Sequence, residues 1–277
     1  MKKYIVVAVL MSILFLPVSF INKQKISKAA LGKLLFFDSI LSKNYTVSCT
    51  TCHKPQYAFA DTSAVSFGID KKKGTRNTPS AMNLSLQRIF FWDGRAATLE
   101  EQALGPIENP DEMNLPLDEA LSRLRNDKMY NDYFHEVFDS EPSRANLSQA
   151  IAAFERTLET SDTPFDNWKQ NDDPNAVSAS VKRGFAVFNG KGKCVKCHFG
   201  ADLTTREFHN IGLFDGRSLR DSGRMKITGK KADIGKFKTP GLRNIAITAP
   251  YMHNGKFKTL EQVIDFYNDT RRVVPYS

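Results

Sequence analysis

Apolar positions recur along this chain at the three- and four-residue spacing of helices, and the stretches between them are punctuated by Gly and Pro. Leu31-Gly32-Lys33-Leu34-Leu35-Phe36-Phe37-Asp38 has the pattern of a short amphipathic helix. Thr98 with Glu101 forms a capping box, which predicts a helix over Leu99–Leu104. From Leu117 to Phe138 the spacing is helical again, with Leu117, Leu121 and Leu124 on one face. Asn146 and Gln149 are placed to cap a further helix whose Leu147, Ile151, Phe154 and Leu158 share a face. Val177, Val181, Phe185 and Phe188 align in the same way, and Thr259 with Gln262 opens a last helix. Residues 55–74, 76–80, 90–95, 208–212 and 239–244 read as loops. The pattern predicts a mostly α protein. Residues 160–175 are polar, with Pro164, Pro174 and several Asp, and a domain boundary is expected there.

The N-terminal pattern is of another kind. Lys2 and Lys3 precede an apolar run from Tyr4 to Ile21, interrupted by Ser12, Pro17 and Ser19, as in an export signal. No A-x-A cleavage site follows, and the length also suits a retained membrane anchor, so both readings stand. Either one places the body of the protein in the periplasm or otherwise outside the cytoplasm.

Composition changes this picture little. The 277 residues suffice for two modest domains, and 41% hydrophobic with 25% charged residues is ordinary for a globular protein. A net charge of +9 is compatible with nucleic acid, an anionic surface or an acidic redox partner. The lysines are spread out, with one short run at Lys71–Lys73, which reads as a solvated surface; no nucleic-acid partner is expected.

The chemistry lies in two short segments, Cys49-Thr50-Thr51-Cys52-His53 and Cys194-Val195-Lys196-Cys197-His198. Two Cys three positions apart followed at once by His is the attachment signal of a c-type haem: each thiol adds to a vinyl group and the His binds the iron. The two matches use all four cysteines of the chain. A four-Cys zinc site or a pair of disulfides would also use them. Neither explains a His after both pairs when the chain has five. No His lies between His53 and His135, so the first iron has one evident ligand and an open face, as a small ligand such as peroxide requires. His135 reads as a packed or partly exposed helix residue. His209 and His253 either approach the second haem or bond a propionate, and Arg243 is either a propionate partner or a surface salt bridge.

The ordered set LGKLLFFD, the first CxxCH, RNTPS, FFWDGRAATLEEQALGPIENPDEM, the second CxxCH, TPGLRN and TAPYMHNGKFKTLEQV resembles the bacterial di-haem cytochrome c peroxidase family. These pieces run from Leu31 to Val263. The resemblance implies a mostly α fold of two cytochrome c-like domains, each with one covalent haem. Residues 23–162 would form the peroxidatic-haem domain and residues 163–277 the electron-transfer domain, after a signal or anchor at residues 1–22. It implies that Trp92 lies between the haems, and that Gln102 and Glu112 stand over the open face of the first. It implies a calcium ion held partly by carbonyls at Asn77, Thr248 and Pro250, since oxygen-only ligation suits calcium. Hydrogen peroxide, and a donor such as cytochrome c or a small copper protein, would be the partners. A homodimer is compatible with the same resemblance.

Two departures are visible. The family places a Met fourteen residues after the His of its PYxHxG motif, and counting from His253 reaches Tyr267. In this respect the chain resembles the di-haem enzyme that matures methylamine dehydrogenase. A phenolate favours ferric iron, so a high-potential second haem is in doubt. Tyr267 as a packed helix aromatic, and Met252 as the ligand, remain alternatives. Relatives also continue several dozen residues further, so the second haem pocket is expected to be the weaker one. The competing functions are a di-haem oxidase of a protein or organic substrate, and a plain electron carrier.

Overall fold

The structure, a computed structural model, describes residues 25–269. The apolar run Tyr4–Ile21 lies outside them. Among the described residues no helix is long and apolar enough to cross a membrane.

The first half contains helices α1 (Lys28–Phe37), α2 (Cys49–Cys52), α3 (Leu99–Glu108), α4 (Leu117–Asn126), α5 (Lys128–Phe138) and α6 (Arg144–Glu155). α7 (Pro164–Gln170) and α8 (Ala179–Asn189) follow, then the two-residue strand β1 (Phe208–His209), α9 (Met225–Thr228), β2 (Phe237–Lys238) and α10 (Leu260–Asn268). The strands pair antiparallel, with Phe208 opposite Lys238.

Local physics accounts for the differences from the sequence pattern. The helical spacing over Leu117–Phe138 is two helices, because the Asp127 carboxylate accepts from Tyr130 N (3.0 Å) and starts a new one. The cap of α6 is Ser143, not Asn146 or Gln149. Ser143 Oγ accepts from Asn146 N, and Asn146 Oδ1 accepts from Ser143 N at 2.6 Å, a reciprocal box shifted three residues upstream. Gln149 instead accepts from Lys28 on α1. α3 runs past Leu104 through Gly105 and Pro106, because a following loop takes up its last carbonyls: Asn109 N, Met113 N and Leu115 N donate to Gly105, Pro106 and Ile107. The polar stretch after residue 160 contains α7, opened by a Thr163–Asp166 capping box with Pro164 at its first turn. Residues 208–209 are a strand rather than loop. Val177 precedes α8, whose cap is Ser178.

α1, α3 and α6 pack together in the first half. Leu31, Leu35, Phe36, Ile107 and Ile151 are almost fully buried there. Complete burial of such side chains contributes about 1.5–3 kcal/mol each. α1 and α6 meet backbone to backbone: a Cβ on Gly32 would lie 1.8 Å from the Ala150 carbonyl oxygen. After residue 160 the buried apolar side chains among the described residues are Leu213, Phe237 and Phe266. That half is tied by ion pairs instead. Arg243 forks onto Asp166 (3.0 and 2.7 Å) and reaches Asp202 (3.2 Å).

The halves meet along a seam. Arg76 bridges Asp93 of the first half (2.6 Å) and Asp221 of the second (2.6 and 2.9 Å). Main-chain bonds cross the same seam, from Asn77 N to His253 O (2.7 Å) and from Lys238 N to Trp92 O (2.8 Å).

Candidate haem centres

Ser48 and Thr51 cap the single turn that carries Cys49 and Cys52. The His53 amide then donates to Cys49 O (2.8 Å). A turn with Ala58 and Phe59 at positive φ brings the Phe59 carbonyl onto His53 Nδ1 at 2.9 Å. A proton on Nδ1 leaves Nε2 as the free lone pair, the form that ligates a metal. Burial lowers the basicity of His53, against smaller contributions from Phe59, Asp61 and Pro79, and so keeps the ring neutral. The second motif repeats the device. The His198 amide donates to Cys194 O (2.9 Å) and Nδ1 to Leu203 O (3.0 Å), with Pro240 taking the place of Pro79.

All four cysteines are unpaired. Among the described residues no three of His, Cys, Asp and Glu gather where they could hold a metal ion. The pairs therefore form neither a disulfide nor a shared zinc site, and each stands beside one oriented imidazole. Burial pushes both thiols of the first pair up, Cys52 to about 11, with neighbouring carboxylates adding to the effect. Cys49, Cys52 and His53 line a cavity of about 590 Å³ shared with Trp92, Gln102 and Glu112. This volume lies in the usual range for cofactor sites. Two thiols and a free imidazole nitrogen on the wall of a largely apolar cavity fit a covalently bound porphyrin iron.

The structure brings the expected first-haem residues together. Glu112 sits in the loop that closes α3, and its Oε1 accepts from Asn109 Nδ2 (2.8 Å). Burial raises its carboxyl above the usual range, with Asn109 and Arg95 opposing. Its main chain is fixed by Ile69 N, which donates to Glu112 O (2.7 Å). Gly68 permits that approach, because a Cβ there would lie 2.2 Å from Asp111 O. Gln102 faces the same cavity from α3. Trp92 is at the seam: its Nε1 donates to Asn77 O (2.8 Å), and its ring meets the His253 ring edge-on at 6.4 Å.

Residues expected at the second centre are distributed differently. Tyr267, on α10, is 54% exposed, yet lies close enough to Cys197 and Cys194 for them to bear on its phenol. His209 bears on His198, and its Nε2 is buried with no hydrogen-bond partner. His253 belongs to the seam, stacked on Phe237 at 3.6 Å. Its basicity falls to about 4, chiefly through burial. The Arg243 guanidinium lines the first cavity, but its fork is taken by Asp166, so the structure shows an ion pair at that position. Asn77 Nδ2 is turned to the carbonyls of Ser63 and Ala64 (3.2 and 3.4 Å), which directs its Oδ1 away from them.

Several lining residues were not singled out from the sequence. Asn109 steadies Glu112, and its position before Pro110 could have marked it as a turn residue. Arg95 stacks on Phe91 at 3.4 Å. Glu155 and Lys238 also face the cavity, and nothing in their local sequence distinguishes them.

A helical fold with two such thiol–imidazole stations defines a covalent di-haem protein. The chain belongs to the di-haem cytochrome c peroxidase family, whose model matches residues 26–174. It is 43% identical over 246 residues to the methylamine utilization protein MauG of Methylorubrum extorquens, covering 87% of this chain and 68% of that protein. To the cytochrome c551 peroxidase of Nitrosomonas europaea it is 38% identical over 252 residues, covering 90% and 75%. Among solved structures, a MauG-like protein associated with microbial copper homeostasis superposes with a TM-score of 0.78 at 38% identity, covering 86% of this chain and 75% of that one. The protein is thus a mostly α di-haem oxidoreductase of two cytochrome c-like domains carrying two c-type haems.

Proposed function

We propose that this protein reduces hydrogen peroxide at the first haem, using electrons that a small exported redox protein delivers through the second. The observation that supports it is the gathering of Glu112 and Gln102 in one cavity with Cys49, Cys52 and His53. When bound, the haem would supply the iron and the electrons for O–O cleavage. Glu112 takes the proton of incoming peroxide and returns it to the departing oxygen. A raised carboxyl suits this exchange, because it holds a proton at higher pH than an exposed Glu does. The Asn109 bond aims the carboxyl, and the Gln102 amide orients the bound molecule. Trp92 offers an indole at the seam between the halves. A calcium ion at Asn77, Thr248 and Pro250 would brace that seam with oxygen donors alone.

Steady-state turnover of peroxide with a reduced c-type cytochrome tests this reading. Glu112→Gln should lower kcat by about 10²–10⁴ with both haems retained. Unchanged turnover would remove Glu112 from the chemistry.

A second reading, oxidation of a protein or organic substrate, is favoured by Tyr267 lying within electrostatic reach of Cys194 and Cys197 and by the 43% identity to a MauG. Tyr267→Met should raise the reduction potential of the second haem if the phenol binds its iron. An unaltered spectrum and potential would count against that ligand.

A further inference from the structure

Glu155, the last residue of α6, is a charged residue type in a place that disfavours charge. It is 5% exposed, and its Oε2 is buried without a hydrogen-bond partner. It lines the first cavity beside Ile151, and it stands close enough to Cys49 to bear on that thiol. The cation next to it is committed elsewhere: Arg156 forks onto Glu100 of α3 at 2.7 and 3.0 Å. The helix C-terminus adds a partial negative charge of its own. Proton transfer through Glu112, with Gln102 orienting the substrate, makes no use of Glu155.

We propose that Glu155 is a proton-binding group coupled to the redox state of the first haem. It takes up one proton from solvent as one electron arrives there from the reduced donor, and releases the proton when the electron leaves. An added electron is one more negative charge across a low-dielectric cavity wall, which strengthens the hold of a neighbouring carboxyl on its proton. Burial already pushes this carboxyl up to about 8, with Glu100 adding to the shift and Arg156 opposing it. Cys49 of α2 shares the wall, and as a thioether it does not titrate. Coupling of this kind lets the first centre accept an electron without leaving a net buried charge.

The inference needs covalent haem at the first motif but no particular substrate. The peroxidase reading can therefore fail on turnover while this coupling persists. The test is a spectroelectrochemical titration of the holoprotein across roughly pH 6–10. In the wild type the first-haem potential should be level below about pH 8 and fall with rising pH above it, because only there is the proton taken up on reduction. In Glu155→Gln, which keeps the shape of the protonated acid, that slope should be lost, and Glu112→Gln should retain it. A slope that survives in Glu155→Gln, or that vanishes in Glu112→Gln instead, overturns the proposal. If Glu155→Gln does not retain both haems, redox-difference infrared spectra of wild type and Glu155→Asp decide. A protonated-carboxyl C=O band gained on reduction and displaced in Glu155→Asp supports it. The absence of such a band, or a band that Glu155→Asp leaves in place, overturns it.

Discussion

His53 and His198 make the same bond, from Nδ1 to a carbonyl six residues on in one case and five in the other, yet their surroundings differ. Around His53 the wall is packed protein: the Phe36 ring lies 6.2 Å away, and Phe36 meets Phe59 and Phe154 edge-on at 6.0 and 5.2 Å. Near His198, α8 has no fully buried residue, and Phe185 with Phe188 stays half-buried. Residues of the second half are joined by ion pairs such as Arg243–Asp166. Buried packing shapes the first station, whereas the second relies on ion pairs and a half-buried aromatic cluster of Phe165, Trp168 and Phe185. One local motif is thus expected to show two degrees of dependence on the porphyrin, whose apolar faces would take the place of core side chains where these are few.

The largest expected effect comes from exchanging attachment sites. Cys194→Ala with Cys197→Ala should leave the second half open to limited proteolysis while the first half survives as a resistant fragment. Cys49→Ala with Cys52→Ala should leave the first-half helices protected. Equal protease sensitivity of the halves in both variants would dissolve the contrast.

Next comes the clasp. Arg243→Ala strands a buried carboxylate and should cost about 3–5 kcal/mol in urea unfolding at neutral pH. The sign of its pH dependence follows from Asp166, whose carboxyl is held well below the usual range by Arg243 first, with Thr163 assisting. A depressed folded value gives stability that is present above the unfolded carboxylate pKa of about 3.9 and lost as pH falls through the folded value. The gap between wild type and Arg243→Ala should thus be full at pH 7 and shrink in acid below about pH 4. A gap independent of pH would show that the pair is not its source.

The smallest effect tests how firmly the first station is shaped. Gly68→Ala forces the loop bearing Glu112 to move, since the new Cβ would sit 2.6 Å from Glu112 Cα. Turnover should fall about tenfold with haem content unchanged, because small misplacements of a reacting group are costly. Wild-type turnover would mean that the loop has slack.

Much of this arrangement was legible in the chain. Both CxxCH segments, the Thr98 and Thr259 caps and the gathering of Gln102 with Glu112 follow from spacing or resemblance, because each is local or carried by an extended motif. The division at Asp127 was hidden because the apolar period runs through it unchanged, and a single carboxylate decides where one helix stops. Arg243 and Asp166 lie 77 residues apart, so only the folded chain pairs them. Glu155 reads as an ordinary polar helix end; its burial belongs to a helix that packs against α1 and α3, which no periodicity reports.

The bonds Asn77 N to His253 O and Lys238 N to Trp92 O are made by backbone atoms: every residue supplies the carbonyl, and every residue except proline the N–H. These two bonds do not depend on which side chains stand at the four crossing points, unlike the Arg76 bridge of the same seam. Hybrids that splice the front lobe of one relative to the rear lobe of another should keep these two bonds wherever Arg76 and its two Asp partners are kept as well.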